Sequence, residues 1–381
     1  MAPRYHSPML RRILAPACAL ALASAGLRAQ PADPKGTLSV IAFGSCAEQR
    51  RPQPIWDAVL GQKPQLFLFL GDNIYADTED MDVMGKEYAR LDGIPGFRRL
   101  RATTPHWAIW DDHDFGVNDG GREYPKKEES QRLFLRFWKE PAASPRRRRA
   151  GLYDAKVFGP VGRRVQVILL DTRTFRSPLK RRPGGGDEDL VGRYVPDPDP
   201  ASDMLGEAQW RWLEAQLKEP AELRLLVSGI QVVVENHGWE KWGNFPTERR
   251  RLFDLIRRAG AKGVLVLSGD RHFGELAVTD AGLGYPLYDF TSSGLNQGGG
   301  KFRYRPGDPA RLAAQTSGDN FGVVRVDWDR PDPLVRLECR DVQGDLRFAE
   351  KIPLSLLGVE AGPATAPAGR PRPAAPPASR R

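Results

Sequence analysis

The sequence predicts an α/β fold built on buried strands. Four short apolar runs carry that expectation: Val40-Ile41-Ala42-Phe43, Leu66-Phe67-Leu68-Phe69-Leu70, Trp107-Ala108-Ile109-Trp110 and Val264-Leu265-Val266-Leu267. Each is bounded by glycine or polar residues, the pattern of a strand covered on both faces. Each also stops abruptly in residues that bind metals or lie in tight turns. The four endings are Gly44-Ser45-Cys46, Gly71-Asp72-Asn73-Ile74-Tyr75, Asp111-Asp112-His113-Asp114 and Ser268-Gly269-Asp270-Arg271-His272. Buried parallel strands present ligands at their carboxyl ends, where open α/β sheets bind substrate. Four such ends predict one shared metal site, and hence a metallohydrolase.

The remaining elements follow in order. A helix is expected around Ile55 to Leu60, then an acidic loop with Glu79, Asp80 and Asp82 after the second strand. Short helical pieces are expected around Glu87 to Leu91 and Phe97 to Arg101. Ser130 to Lys139 carries Leu133, Phe134, Phe137 and Trp138 at helical spacing, which predicts a core-facing helix. Val165 to Leu170 predicts a further strand, ending in Asp171-Thr172-Arg173. Pro178 to Pro200, rich in Gly, Pro and Asp, predicts a long loop. Gly206 to Leu217 predicts an amphipathic helix with Trp210, Leu213 and Leu217 inward. Leu223 to Val234 predicts another strand, followed by Asn236 and His237. Thr247 to Arg258 predicts a helix whose buried stripe is Leu252, Leu255 and Ile256. Beyond His272 the texture changes. Leu287 to Phe290, Gly322 to Trp328, Val335 to Cys339 and Leu346 to Ile352 read as an antiparallel closing sheet, with no long helix between them. The sequence has no internal repeat.

At 381 residues the chain has ample length for a packed core. Residues 1 to 29 read as a signal peptide. Arg4, Arg11 and Arg12 precede an apolar stretch from Ile13 to Ala25, and Leu27-Arg28-Ala29 forms a small-residue cleavage pattern. Cleavage falls after Ala29 or after Ala25. The stretch is too short to anchor as a transmembrane helix, and no later segment is long and apolar enough to span a bilayer. A periplasmic or secreted protein without a stable membrane anchor is therefore expected. The Arg11-Arg12 pair opens the twin-arginine route, and Cys18 lies too far into the apolar stretch for a lipoprotein cysteine. Residues 361 to 381 are Ala, Pro and Arg with almost nothing to bury, which predicts a disordered tail.

The net charge of +9 raises nucleic-acid binding as a possibility. The basic residues fall in separate runs at Arg146 to Arg149, Lys180 to Arg182 and Arg249 to Arg251, and no nucleic-acid motif accompanies them. They read as solvated faces, with no specific nucleic-acid partner. A positive surface still steers phosphorylated substrates toward the protein.

The mature chain then holds only Cys46 and Cys339, which could pair in a disulfide. Cys46 at a strand tip is equally placed as a metal ligand. Asp72 and Tyr75 lie three apart on one turn, so both can point into one crevice. A phenolate ligand favours ferric iron above other ions. Asp270 and His272 lie two apart and face the same side if the segment is extended. Four histidines remain after the signal, namely His106, His113, His237 and His272. His106 precedes its strand, at the wrong end of the sheet, so a His-rich dizinc site cannot be assembled. Cys, Tyr and His around one ion suit iron, while Asp and Asn oxygens suit calcium.

These motifs resemble the PhoD-like alkaline phosphatases of the calcineurin-like metallophosphoesterase superfamily. The resemblance rests on Gly44-Ser45-Cys46, Gly71-Asp72-x-x-Tyr75, the run from Trp110 to Asp119, Leu170-Asp171-Thr172-Arg173 and Gln209-Trp210-Arg211-Trp212-Leu213. It continues through Trp242-Gly243-Asn244-Phe245-Pro246 with Arg249, and Ser268-Gly269-Asp270-Arg271-His272, and it covers roughly residues 37 to 330 of a domain expected over 37 to 355. The resemblance implies a four-layer α/β/β/α sandwich of two mixed sheets, with Fe3+ beside one or two Ca2+ ions. By position, Cys46, Asp72, Tyr75 and His272 would hold iron. Asp72 would bridge to calcium, with Asp270 and with Asp112 or Asn118. His113 falls where the superfamily places its proton donor. Asp171 and Arg173 would brace the site or contact phosphate. A superfamily histidine after the fifth strand has only His237 near its place. The loop from Pro178 to Pro200 and the run from Arg146 to Arg149 match no part of the family pattern.

The implied activity is hydrolysis of phosphomonoesters, phosphodiesters or both by metal-held hydroxide. A phospholipase D-like phosphodiesterase is the neighbouring alternative. A secreted metal- or phosphate-binding protein without catalysis is the alternative from another class, opposed by His113 and the full ligand set. The partner expected is a phosphate ester.

Overall fold

The computed structural model describes residues 33–184, 192–299 and 307–360. The expected signal peptide, the C-terminal tail and part of the loop from Pro178 to Pro200 lie outside the described residues.

Two mixed sheets form the centre. The first contains β1 (Val40–Gly44), β2 (Leu66–Leu70), β3 (His106–Ile109), β11 (Asn320–Asp327), β12 (Leu334–Asp341) and β13 (Leu346–Pro353), in the order β13-β12-β11-β1-β2-β3. Strands β1 to β3 run parallel; β11 joins β1 antiparallel, and β12 and β13 continue the sheet, each antiparallel to its neighbour. The second sheet contains β4 (Asp154–Phe158), β5 (Val165–Leu169), β6 (Leu223–Val227), β7 (Val264–Ser268), β8 (Gly274–Thr279), β9 (Leu287–Ser292) and β10 (Arg311–Gln315). Its order is β10-β8-β9-β7-β6-β5-β4, with β5, β6, β7 and β9 parallel.

Period-two alternation assigns each strand face. In β2, Leu66, Leu68 and Leu70 belong to a core cluster that takes in both faces of the second sheet, including Leu225, Leu226, Leu265 and Val266. Phe67 and Phe69 turn the other way, into a second cluster with Trp56, Tyr88, Phe97 and Phe134. Those residues come from α1 (Ile55–Gly61), α2 (Met81–Gly93), α3 (Pro95–Thr103) and α5 (Lys127–Phe137), the outer layer of the first sheet. The short α4 (Asp112–Phe115) lies between α3 and α5. The second sheet is covered by α6 (Gly206–Leu217) and α7 (Pro246–Arg258), whose Trp210, Leu213, Leu252 and Ile256 are buried in the first cluster. The result is the four-layer α/β/β/α sandwich. Between the sheets the Phe43 and Phe290 rings meet edge to face, 5.0 Å apart. A Cβ on Gly322 would lie 2.2 Å from the Phe43 ring, so only glycine fits beside it.

Local signals explain the boundaries. Asp80, from the acidic loop, caps α2 by accepting from the Asp82 and Val83 amides. Proline at the first turn opens α3 and α7.

The expected closing sheet does not exist as one unit. Gly322 to Trp328, Val335 to Cys339 and Leu346 to Ile352 fall largely on β11, β12 and β13 of the first sheet. The run from Leu287 to Phe290 instead becomes β9, parallel to β7 at the heart of the second. The β8 hairpin partner, Gly274–Thr279, returns the chain so that β9 can run that way. The strand expected over Leu223 to Val234 stops at Val227. Residues 230 to 234 leave the ladder, and the Val232 and Val233 amides bond Asp289 Oδ2 at 2.7 and 3.0 Å instead.

Two basic runs also differ from a solvated face. Arg146 is buried and donates to the Ala108 carbonyl (2.6 Å) and to Glu140 (3.2 Å). Arg249 donates to the Val232 (2.6 Å) and Val233 (2.9 Å) carbonyls and pairs with Glu235. Each guanidinium satisfies backbone oxygens that no strand reaches. The disulfide does not form: Cys46 and Cys339 are both buried free cysteines.

Candidate metal centre

The site lies where parallel strands of both sheets end. Cys46 follows β1, Asp72 and Tyr75 follow β2, Asp111 and Asp112 follow β3, and Asp270 and His272 follow β7. Asp114 locks two of these turns together. Its Oδ1 accepts from the Asp72 and Asp111 amides at 3.1 and 2.8 Å, and its Oδ2 from Asn73 at 2.6 Å. Gln49 grips Tyr75 from both sides of its backbone, accepting from its amide (2.9 Å) and donating to its carbonyl (3.1 Å). Gly71 lets the second turn press against the third, since a Cβ there would sit 2.4 Å from Asp111 Cβ.

Six of the eight non-glycine residues with positive φ among the described residues belong to this site: Cys46, Asp72, Asp77, Asp119, Asp270 and His272. Such backbone is costly for residues with a side chain, and strain of this kind collects at active sites and ligand clamps. It also corrects the extended geometry expected for Asp270 and His272. Their φ values are +69° and +59°, and they occupy a tight turn closed by the Arg271 amide bonding the Gly269 carbonyl at 2.9 Å.

Two overlapping groups of donors result. In the first, the Tyr75 hydroxyl lies 3.3 Å from Asp72 Oδ2 and 3.1 Å from His272 Nε2, and Cys46 Sγ lies 3.3 Å from the same Asp72 oxygen. The Cys46, Asp72 and His272 donor atoms all fall within 4.8 Å of one another. In the second, Asp72, Asp111, Asp112 and Asp270 meet the same limit. Asn118 lines the cleft beside Asp112 and is exposed at its mouth.

The chemistry of these donors fits cations. Asp72 Oδ1, Asp111 Oδ2 and Asp112 Oδ1 are buried with no hydrogen-bond donor in reach. Buried acceptors left that way are costly, and paired carboxylates more so. Burial, then the neighbouring Asp112, pushes the Asp72 carboxyl well above its usual range, and burial does the same to Asp270, Tyr75 and Cys46. Positive charge placed among them relieves both penalties, so thiol, phenol, imidazole and carboxylates form a coherent metal set.

His113 differs from its neighbours. Burial opposes its charge, but Asp112 and Asp72, followed by Asp77, push its pKa up to about 11. Its Nδ1 lies 2.8 Å from both Asp77 oxygens, and its ring packs on Tyr75 with centroids 4.2 Å apart. Burial opposes charge on Asp112 too, but His113 and Arg173 hold it ionised below the usual carboxylate range.

Asp171 and Arg173 form the wall behind the cleft. Asp171 accepts from the Leu152, Arg173 and Thr174 amides and from the Thr174 hydroxyl, all within 2.7–2.9 Å. Arg173 is fully buried and pairs with Asp111 and Glu240 at 2.6 Å each. His237 spends both ring nitrogens on the fold: Nδ1 accepts from the Trp239 amide (3.2 Å), so Nε2 donates to Gln231 (3.1 Å). Among the described residues, no group of metal-binding donors includes it.

Several residues here were not singled out from the sequence. Asp111 sits beside Asp112, and adjacency is the signal that could have found it. Asp119 closes the run from Trp110 but was given no role there, and Asp77, Glu240, Arg193 and Trp239 come from loops with no motif.

Two mixed sheets between helix layers, with acidic donors at strand ends from both, define a metallophosphoesterase-type fold. Solved structures sharing it include one of PhoD, with TM-score 0.61, 18% identity, and coverage of 85% of this chain and 70% of that one. Purple acid phosphatase PPD1 from yellow lupin (Lupinus luteus) seeds matches with TM-score 0.56 and 10% identity over 89% of this chain and 59% of its own. GAP50, described as the anchor in the inner membrane complex of Plasmodium, matches with TM-score 0.52 and 12% identity over 83% and 89%. These likenesses establish the fold alone, and the site must carry the function. Residues 41–299 match the family model of the PhoD-like phosphatases, and the chain belongs to that family. Alkaline phosphatase D of Bacillus subtilis (strain 168) is 22% identical over 280 residues, 61% of this chain, and the chain spans 45% of that relative's length.

Proposed function

We propose that the chain is an exported metal-dependent phosphatase acting on phosphomonoesters, phosphodiesters or both. The observation that carries this reading is the cluster of buried carboxylate oxygens without donors, opening onto a cleft lined by His113. In this reading Cys46, Asp72, Tyr75 and His272 hold Fe3+. Asp72 also serves Ca2+, together with Asp112, Asp270 and Asn118, and with Asp111 at its unpartnered oxygen. The bound ions supply Lewis acidity, polarising the phosphoryl group and acidifying water. The chain's own residues do the rest. Asp77 orients His113 through Nδ1, leaving the other ring nitrogen to carry a proton to the departing alcohol. Arg173 holds Asp111 in place from behind. The N-terminal signal pattern supports export, and among the described residues no helix is long and apolar enough to cross a membrane. A turnover panel of mono- and diesters, run beside metal analysis of the purified protein, tests the reading. A metal-replete protein with no turnover of any ester overturns it.

Two further results are expected. Ferric iron bound by Tyr75 and Cys46 colours the protein through ligand-to-metal charge transfer, and Tyr75→Phe shifts or abolishes the visible band. A colourless wild type carrying zinc alone contradicts the iron assignment. EGTA should inactivate the enzyme reversibly, with calcium restoring the rate better than zinc, because the second donor group is all oxygen. Full activity after exhaustive EGTA treatment contradicts the calcium assignment.

A further inference from the structure

We infer that Arg193 and Arg271, on either side of Trp239 in the cleft, form a subsite for a second anionic group on the leaving alcohol, so that esters carrying one are preferred. The inference rests on the phosphatase reading and names a substrate class for it.

The cleft carries both signs of charge: Asp112, Asp119, Glu240 and Asp270 share its lining with Arg193, Trp239 and Arg271. The two guanidiniums flank one indole: Arg193 Cζ lies 5.5 Å and Arg271 Cζ 5.9 Å from the Trp239 ring centroid. Arg271 sits between Asp270 and His272 in sequence, so its place in the cleft is tied to the metal turn. It is only 3% exposed, and a cation so sheltered from water meets an anion with little screening.

Arg193 is delivered by the long loop that has no counterpart in the family pattern. Its two neighbours are pinned, which fixes where it projects. Gly192, at φ +76°, packs so closely on Gly238 that a Cβ would lie 2.3 Å from the Gly238 carbonyl carbon. On the other side, the Tyr194 amide donates to the Gly238 carbonyl at 2.7 Å and its hydroxyl to Asp119 Oδ2 at 2.5 Å. Arg193 itself lies 3.7 Å from Asp119 and keeps 36% of its side chain exposed. Trp239 is held by backbone contacts to His237 and Lys241. The pair is thus pre-organised rather than a chance pair of surface charges, and preorganisation lowers the entropic cost of binding. A second anion is repelled by the carboxylates of the cleft and drawn to the two guanidiniums on either side of Trp239.

The test compares butanediol bisphosphate with hydroxybutyl phosphate, two alkyl esters that differ in the charge at the far end. The holoenzyme should favour the bisphosphate by about tenfold in kcat/KM, chiefly through KM, and the preference should fade as salt rises. Arg193→Gln should cut the ratio of the two kcat/KM values by about tenfold. Arg193→Lys, which keeps the charge and loses the fork, should retain part of it. A wild type that turns over both esters without preference overturns the inference and leaves the phosphatase reading intact. So does a ratio unaltered in Arg193→Gln. Turnover of neither ester by metal-replete protein overturns the phosphatase reading and this inference with it.

Discussion

Asp72→Asn is expected to lower turnover by on the order of a thousandfold or more and to reduce both iron and calcium content. Losing a residue that merely orients a metal ligand costs roughly 10–100-fold in affinity or activity. Asp72 stands in both donor groups, so its loss acts on both ions at once. Asparagine is the mildest replacement available, because the φ of +49° at this position is one that Asn tolerates better than most residues. The metal-free proteins should show the opposite order in stability. Burial, then Asp112, raises the Asp72 pKa in the folded chain, so the native state binds more protons than the unfolded state. The Asp72 contribution to stability therefore falls as pH rises above the unfolded carboxyl value, until the folded group has itself ionised. At neutral pH the metal-free Asn variant should melt above metal-free wild type, and metal-loaded wild type should melt above its own metal-free form. Equal metal content in variant and wild type, or a metal-free variant that melts lower, contradicts the account.

The sequence revealed the site residues that follow apolar runs, and the reason is physical. A strand buried on both faces must be continuously apolar, so a sudden Asp, Cys or His marks its end. Cys46, Asp72, Asp112 and His272 were legible for that reason. Geometry within the turns was not. Spacing alone makes Asp270 and His272 look like one face of an extended segment, whereas both adopt left-handed backbone. The loop residues were equally opaque. Glu240 reaches the centre only because Arg173 and Arg176 come from a different strand end to meet it, at 2.6 and 2.9 Å.

Sheet membership shows a similar limit. The runs around Val323 and Phe290 have similar apolar texture, yet one joins β1 antiparallel and the other joins β7 parallel. Pairing partners depend on the intervening hairpin and not on local pattern. Charge runs mislead for another reason. Composition cannot say that Arg146 turns inward to a strand carbonyl while Arg148 beside it stays exposed.

Removing the His113 side chain should separate substrates by leaving group. The Asp77 carboxylate holds Nδ1, and the charges of Asp112 and Asp72 favour the protonated ring against the opposing effect of burial. With cations on Asp72 and Asp112, the Asp77 pairing is what would keep the proton on the ring, which then enters the reaction as an acid. Loss of general acid help costs on the order of a hundredfold or more. That cost falls on alcohols that leave only with a proton, and shrinks for p-nitrophenolate, which departs as the anion. His113→Ala and His113→Asn should therefore slow alkyl phosphates far more than aryl ones, with metal content unchanged. Metal loss in either variant would instead make His113 a ligand, in line with its place within 4.8 Å of the Asp72 and Asp112 oxygens. Equal slowing of both ester types with metal retained would assign it to positioning or charge stabilisation, and the proton would have to come from another group.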